Sequence, residues 1–379
     1  MPALAWRALA SPLHEAAAVH ALAQPWRSML ASCGARELPA DSAEHPLALL
    51  LLTGGTEAAA LRIHERRPSQ ALVLLAHGAH NSLPAALETL AALRQRGAPA
   101  SLVLLDGPDD PAGELRRGLH AVYTHRSLLG ARLGLIGGPS SWLVASRPRP
   151  ELVLERWGPL VVDLPMEALL DRLGPDADSD AVHGALEAII AEHRLDGVSV
   201  RCFDLLAVRS ATACLAMARL GQAGVPAGCE GDLVSAIALM WVRQLLGIVP
   251  WMANPARFIA EGLWLAHCTV PLSLVSAHRL DTHFESGLGV GVAGRFEPQP
   301  VTLIGIGGAD LGRLWVVETE ILAAGGAPDQ CRTQALVALS EGTRRALLER
   351  PLGNHIVLIP GHHRRALEHY HRCLGPGRR

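Results

Sequence analysis

Apolar residues in the first third of the chain come in short blocks, each closed by a turn signal. Residues 47–53 run into Thr53-Gly54-Gly55-Thr56, residues 71–76 into His77-Gly78-Ala79-His80, and residues 101–105 into Asp106-Gly107-Pro108. Blocks this short, bounded by glycine and proline, predict buried strands. After the second block, Asn81-Ser82-Leu83-Pro84 opens a helical spacing through Leu93, with Ser82 as the expected N-cap and Pro84 in the first turn. Strands separated by helices of this length predict a parallel α/β sheet.

The alternation begins again near Arg132. A strand is expected over 133–136, then Gly137-Gly138-Pro139-Ser140-Ser141 as a turn. Beyond a polar break at 174–179, helices are expected over 181–193, 211–220 and 233–246, with a strand over 198–205. The C-terminal part changes character. Strand-like runs at 301–306, 314–321, 333–338 and 355–359 are joined by glycine-rich turns, which suits a small antiparallel domain. The pattern therefore predicts two doubly wound, Rossmann-like α/β domains over 1–130 and 131–258, then a mainly antiparallel β domain over 259–379.

Composition narrows the chemistry. All 34 Lys+Arg residues are arginine. Without lysine there is no Schiff base, no P-loop lysine and no kinase strand lysine, so imine enzymes and these two phosphate machines are excluded. Abundant Ala and Leu fit a GC-rich codon bias as the source of the gap, and the exclusion holds either way. With 49% hydrophobic residues, mean hydropathy +0.22 and net charge −2, the chain predicts a well-buried globular protein with no nucleic-acid or membrane partner. The most apolar run, 235–252, is interrupted by Arg243 and Gln244, and Arg7, His14 and Glu15 break up the N-terminal apolar residues. Seven scattered cysteines with no CxxC spacing predict reduced, mostly core thiols and a cytoplasmic location.

Two patterns imitate motifs. Gly289–Gly294 matches GxGxxG, but no strand precedes it and no helix follows, so a glycine-rich strand or turn is expected. The histidines at 362, 363, 369 and 371 lack the zinc-protease spacing, so a solvated terminal helix face is expected.

Polar residues set among apolar ones mark the candidate chemistry. Gly228-Cys229-Glu230-Gly231-Asp232 precedes the apolar helix at Leu233, Asn254 follows Trp251-Met252-Ala253, and His267, His283-Phe284-Glu285 and Gly353-Asn354-His355 come later. A carboxylate in such surroundings is costly unless paired or metal-bound. Oxygen donors with imidazoles suit Mn²⁺ or Mg²⁺ better than a thiolate zinc site. Each residue also has a structural reading: Glu230 favoured by a helix dipole, Asp232 as a cap, and His267 and His355 as satisfied core histidines.

These segments resemble the L-fucose isomerase / L-arabinose isomerase superfamily over most of the chain. Leu52-Thr53-Gly54-Gly55-Thr56-Glu57, Leu75-Ala76-His77 and 81–88 are similar to its first domain, and 134–140 with 142–146 to the start of its second. Gly228–Asp232, Ala266-His267-Cys268, 283–287, Cys331-Arg332-Thr333-Gln334 and Gly353-Asn354-His355 are similar to its active-site and C-terminal segments. The order and spacing of the set carry the resemblance.

It implies an aldose–ketose isomerase in which Mn²⁺ or another divalent cation chelates sugar oxygens while carboxylates move a proton through an enediol. Glu230, Asn254 and His355 fall at the metal-ligand positions, and His267 at an active-site histidine of the arabinose branch. Asn254 stands where the fucose branch has an aspartate. It keeps an oxygen donor but cannot act as a base. Glu285 is the first substitute for that base and Asp232 the second, which makes Glu230, Glu285 and His267 the expected catalytic residues. His283, Arg332 and Asn81 are the expected substrate contacts. For Arg332, binding an anionic group and structural pairing are both open. The resemblance also implies a homo-oligomer, trimer or hexamer. Other outcomes stay open on the same scaffold: a different metal-assisted enzyme (lyase, epimerase or modifying enzyme) or a non-catalytic sugar-binding protein. The missing lysine also excludes the solution resembling the xylose isomerase barrel, in which a lysine helps polarise the substrate.

Overall fold

The computed structural model describes residues 4–376. It divides into two compact units, one running up to Ser127 and resuming at His369, the other Leu128–Glu368.

The first unit contains β1 (Leu4–Leu9), α1 (Ala16–Ser32), β2 (Ala35–Glu37), β3 (Ala48–Leu51), α2 (Glu57–Glu65), β4 (Leu72–Ala76), α3 (Ser82–Gln95), β5 (Ala100–Leu104) and α4 (Pro111–Leu128). Its strands form one parallel sheet in the order β2-β1-β3-β4-β5. β3 and β4 are buried along their whole length, which explains why they read as continuous apolar runs. Ser82 is the first helical residue of α3 and not its N-cap: Asn81 precedes it in a left-handed conformation. The Ser82 hydroxyl is spent elsewhere, accepting from the His77 amide at 3.0 Å and donating to the Leu51 carbonyl, so it ties the ends of β3 and β4 together.

The second unit opens with β6 (Arg132–Ile136), α5 (Pro150–Trp157), β7 (Leu160–Leu164), α6 (Glu167–Leu170), α7 (Ser179–His193), β8 (Gly197–Val200), α8 (Cys202–Arg209), α9 (Cys214–Gln222), β9 (Ala227–Cys229) and α10 (Leu233–Leu246). Four of these strands form a second parallel sheet, β7-β6-β8-β9, flanked by helices. The strand expected over 198–205 stops at Val200, and α8 begins at Cys202. A short apolar run does not distinguish strand from buried helix by periodicity, and here Leu205 is the buried anchor of a helix.

The unit continues with β10 (Trp251–Phe258), β11 (Gly262–His267), β12 (Ala277–Asp281), β13 (Gly291–Arg295), β14 (Gln299–Gly307), β15 (Arg313–Ala324), β16 (Thr333–Ala338), α11 (Glu341–Glu349) and β17 (Ile356–Pro360), and α12 (Arg364–Cys373) starts in it and passes into the first unit at His369. The C-terminal antiparallel region closes into a six-stranded barrel, β10-β11-β16-β15-β14-β17. β10 closes it by changing partners: Trp251–Ala253 pair with β17, and Asn254–Phe258 with β11. Register shifts at Pro255/Arg257 and Ile321/Ala323 supply the bends that closure requires. Trp251, Leu263, Leu265, Leu303, Val337 and Leu358 fill the interior.

β12 and β13 form a separate two-stranded ribbon. The GxGxxG segment supplies β13 and the turn before it, as its context predicted. α12 is not a solvated face: Leu367, Tyr370, His371 and Leu374 are buried at i, i+3, i+4 and i+7, an apolar stripe that histidine-rich neighbours obscure in the sequence.

Candidate metal centre

Three elements of the second unit deliver the central side chains. β9 ends at Cys229, and the chain turns through Glu230-Gly231-Asp232 into α10. β11 ends at His267, and His355 directly precedes β17. The turn is unusual. Glu230 has φ +64°, a left-handed conformation that a non-glycine residue adopts at some cost, about 1–3 kcal/mol in general. Gly231 follows at φ +68°, and a Cβ there would lie 2.1 Å from the Gly138 carbonyl oxygen, so only glycine fits. The Ser140 amide donates to the Glu230 carbonyl at 2.9 Å. The loop after β6 therefore locks the turn from outside.

Glu230, His267 and His355 are all buried, and each offers a donor atom within 4.8 Å of the others. Glu230 Oε1 and His355 Nε2 stand 3.5 Å apart, too long for a well-formed hydrogen bond. His355 Nε2 has no hydrogen-bond partner although it is buried. Two donors, each about 2.1 Å from a shared ion, would be roughly 3.0–3.5 Å apart. An orphaned imidazole nitrogen, an adjacent carboxylate oxygen and a second buried imidazole therefore fit a divalent cation. Two imidazoles with one carboxylate leave open coordination positions for a substrate.

Asp232 fixes His355. Its Oδ2 is 2.8 Å from His355 Nδ1 and also accepts from the Ser235 hydroxyl at 2.8 Å, while Oδ1 accepts from the Ser235 amide at 2.9 Å. It is thus both the N-cap of α10 and the group that turns His355 Nε2 toward Glu230. This engagement removes Asp232 as a free base.

Electrostatics separates the two histidines. Burial alone would lower His355, but the hydrogen bond to Asp232 and the negative charges of Asp232 and Glu230 raise it to about 9. Burial, aided by the positive His355, lowers His267 to about 4, so it is neutral at pH 7 and has a lone pair to offer. The Thr269 amide donates a long hydrogen bond to His267 Nδ1 at 3.4 Å. Burial would raise Glu230, but His355, His267 and the Trp142 indole hold it down at about 2.

One wall is aromatic. The Trp142 indole Nε1–H donates to Glu230 Oε2 at 2.7 Å. Trp142 packs edge-on against Phe203 at 5.0 Å, and Phe203 against His283 at 5.4 Å. Beside this wall is a shallow, half-open depression bounded by Phe203, Leu206, Thr212, Cys214 and His283. A larger hollow of about 390 Å³ includes none of the three central residues, and its Arg243 guanidinium is spent on the Gly224 and Gly247 carbonyls. It is therefore set aside as a catalytic site.

The remaining expected residues are more dispersed. Extending the β10–β17 register sets half-buried Asn254 level with His355. His283 is buried, 3.1 Å from the Ser286 hydroxyl. Glu285 is exposed, outside the buried trio. Arg332 is engaged structurally: it donates to the Thr282 carbonyl at 2.7 Å and hydroxyl at 3.1 Å, and its guanidinium lies over the Phe284 ring. Asn81 belongs to the first unit, exposed at the start of α3.

Sequence reasoning missed Trp142 and Phe203, since nothing linear ties either to Glu230. It also missed a thiol pair: Cys268, next to His267, is lowered to about 7 chiefly by a hydrogen bond from Cys331, against the opposing effect of burial. A scan against protein-family models finds no match for this chain, and a search of curated proteins finds none either.

Proposed function

We propose that the chain is a metal-dependent aldose–ketose isomerase, acting on a sugar or an anionic sugar derivative through an enediol, with Mn²⁺ as the ion. The observation that carries this reading is the buried Glu230–His267–His355 trio, whose donor atoms converge within 4.8 Å. The resemblance to the L-fucose/L-arabinose isomerase superfamily and the doubly wound reading of the parallel sheets support it.

A bound divalent ion would polarise neighbouring substrate oxygens and make the adjacent carbon acid stronger. The chain's own residues do the rest. Asp232 holds the His355 ring through Nδ1, and His267 stays neutral. Asn254 can exchange hydrogen bonds with a sugar hydroxyl but cannot take up or release a proton as a base or acid. Proton transfer at carbon therefore falls to a carboxylate, and exposed Glu285, on the loop of His283, makes no ion pair among the described residues and is free to take it.

Purified protein should contain a divalent ion by elemental analysis and, with Mn²⁺, turn over at least one of a panel of pentoses, 6-deoxyhexoses and sulfonated or phosphorylated sugars. An empty centre with no turnover sinks the proposal. Asn254 favours a second reading, a different metal-assisted reaction on the same scaffold. The variant Asn254→Asp separates the two: isomerase activity that appears only in the variant supports the second.

A further inference from the structure

Trp142 has no role in the reading above, yet it makes the shortest contact to the proposed ligand carboxylate, an indole N–H to Glu230 Oε2 at 2.7 Å. The indole is half exposed, which is unusual for a large aromatic ring with apolar neighbours at hand. Its loop is pinned on both sides. The Ser140 amide donates to the Glu230 carbonyl at 2.9 Å, the Leu143 amide to the Ser140 carbonyl at 3.1 Å, and the Leu143 side chain is buried. Phe203 holds the indole edge-on from the other side. The loop thus has little freedom to aim the N–H elsewhere.

The two oxygens of Glu230 are consequently unequal. Oε2 accepts from Trp142, while Oε1 faces His355 Nε2 at 3.5 Å. We infer that Trp142 is a positioning residue that captures Oε2 and presents Oε1 alone to the ion, so that Glu230 is a one-oxygen ligand. This rests on the metal-centre reading and extends it: indole to carboxylate on one side mirrors Asp232 to His355 on the other, and each orients one donor of the trio.

The test compares Trp142→Phe, which keeps an aromatic ring against Phe203 but removes the N–H, with Phe203→Leu, which disturbs the wall but keeps the N–H. Mn²⁺ affinity is read by calorimetry and by loss of the free-ion electron paramagnetic resonance signal. Trp142→Phe should weaken Mn²⁺ binding by about 10-fold, the lower end of what losing an outer partner costs a metal ligand. Phe203→Leu, which loosens the indole but keeps its N–H, should weaken it by less than Trp142→Phe does. A second readout needs no metal. Among the indole N–H signals of the unaltered protein, one should lie downfield, vanish in Trp142→Phe and move upfield in Glu230→Gln. Equal Mn²⁺ affinity in the unaltered protein and Trp142→Phe, or tighter binding in the variant, overturns the inference and leaves the metal centre standing. No Mn²⁺ binding by the unaltered protein overturns the functional reading and this inference with it.

Discussion

Asp232 joins two jobs that are usually separate. It caps α10 through Ser235 and orients His355. Asp232→Ala should cost about 1–2 kcal/mol for the lost cap and weaken metal binding by about 10–100-fold. Urea denaturation and metal titration check the two parts separately, and a variant that loses stability yet binds metal normally would refute the orienting role. His355 also sets a pH dependence. Its value in the folded chain, about 9, lies above its ordinary 6.5. Its contribution to the metal-free fold is therefore complete below pH 6.5 and is lost as pH rises through 9. Glu230, held at about 2 against an ordinary 4.5, behaves oppositely: its contribution is present above pH 4.5 and is lost as pH falls through 2. An ion on His355 Nε2 must displace a proton, so affinity should rise close to ~10-fold per pH unit between pH 6.5 and 8.5. Chelator competition at several pH values measures the slope, and a flat profile excludes His355 as a ligand that gives up a proton.

Elements differ in how well the sequence announced them. α10 was legible to the residue because every position from Leu233 to Val242 is buried, so it is apolar all round and bounded by Asp232 and Gly247. Trp241→Ala should therefore cost about 3–5 kcal/mol, seen as a lowered denaturation midpoint. Four barrel strands, β14 to β17, were legible as strand-like runs between glycine-rich turns, whereas β10 and β11 were not expected as strands and β10 was assigned to the preceding α/β domain. α8 was misread because Cys202, Phe203 and its one buried anchor, Leu205, follow β8 after a single arginine with no turn residue between. The residues of the trio were legible, since buried polar residues stand out among apolar ones, but His267 was expected as a catalytic histidine and Asn254 as the third ligand. The geometry of the site was not legible. That Trp142 reaches Glu230, or that Asp232 turns His355, depends on contacts 88 and 123 residues apart in the chain. The turn at Glu230 depends on the β6 loop in the same way. Gly231→Ala places a methyl group against the Gly138 carbonyl at a left-handed φ, and should cost more than the roughly 0.4–1 kcal/mol that Gly→Ala gains at a compatible site. Metal affinity should fall with it, and parallel denaturation and titration of the variant check both.

At the scale of the molecule, the trio lies wholly within one of the two units. Saturating metal, at about 100 times its dissociation constant, should stabilise that unit by about 2.7 kcal/mol. Hydrogen exchange followed by peptide mass spectrometry should show protection gained across Leu128–Glu368 apart from β12, and none in α1–α3. Uniform protection would mean that the two units unfold as one.

The ribbon of β12 and β13 gives the site a soft side. Barrel closure leaves β10, β11 and β17 no open edge, so Glu230, His267 and His355 are carried on or beside firmly paired strands and a core helix. β13 is fastened to the barrel by Thr333, whose hydroxyl accepts from the Gly294 amide and donates to the Val292 carbonyl. Among the described residues β12 pairs as a strand only with β13, and Ala277–Leu280 are exposed. His283 and Glu285 sit in the connection between these two strands. Peeling β12 away exposes little apolar surface, so it is among the cheapest local openings the unit offers. A protease should nick the chain there first, and a sugar bound as proposed, against His283, should slow that cut while metal alone leaves its rate unchanged.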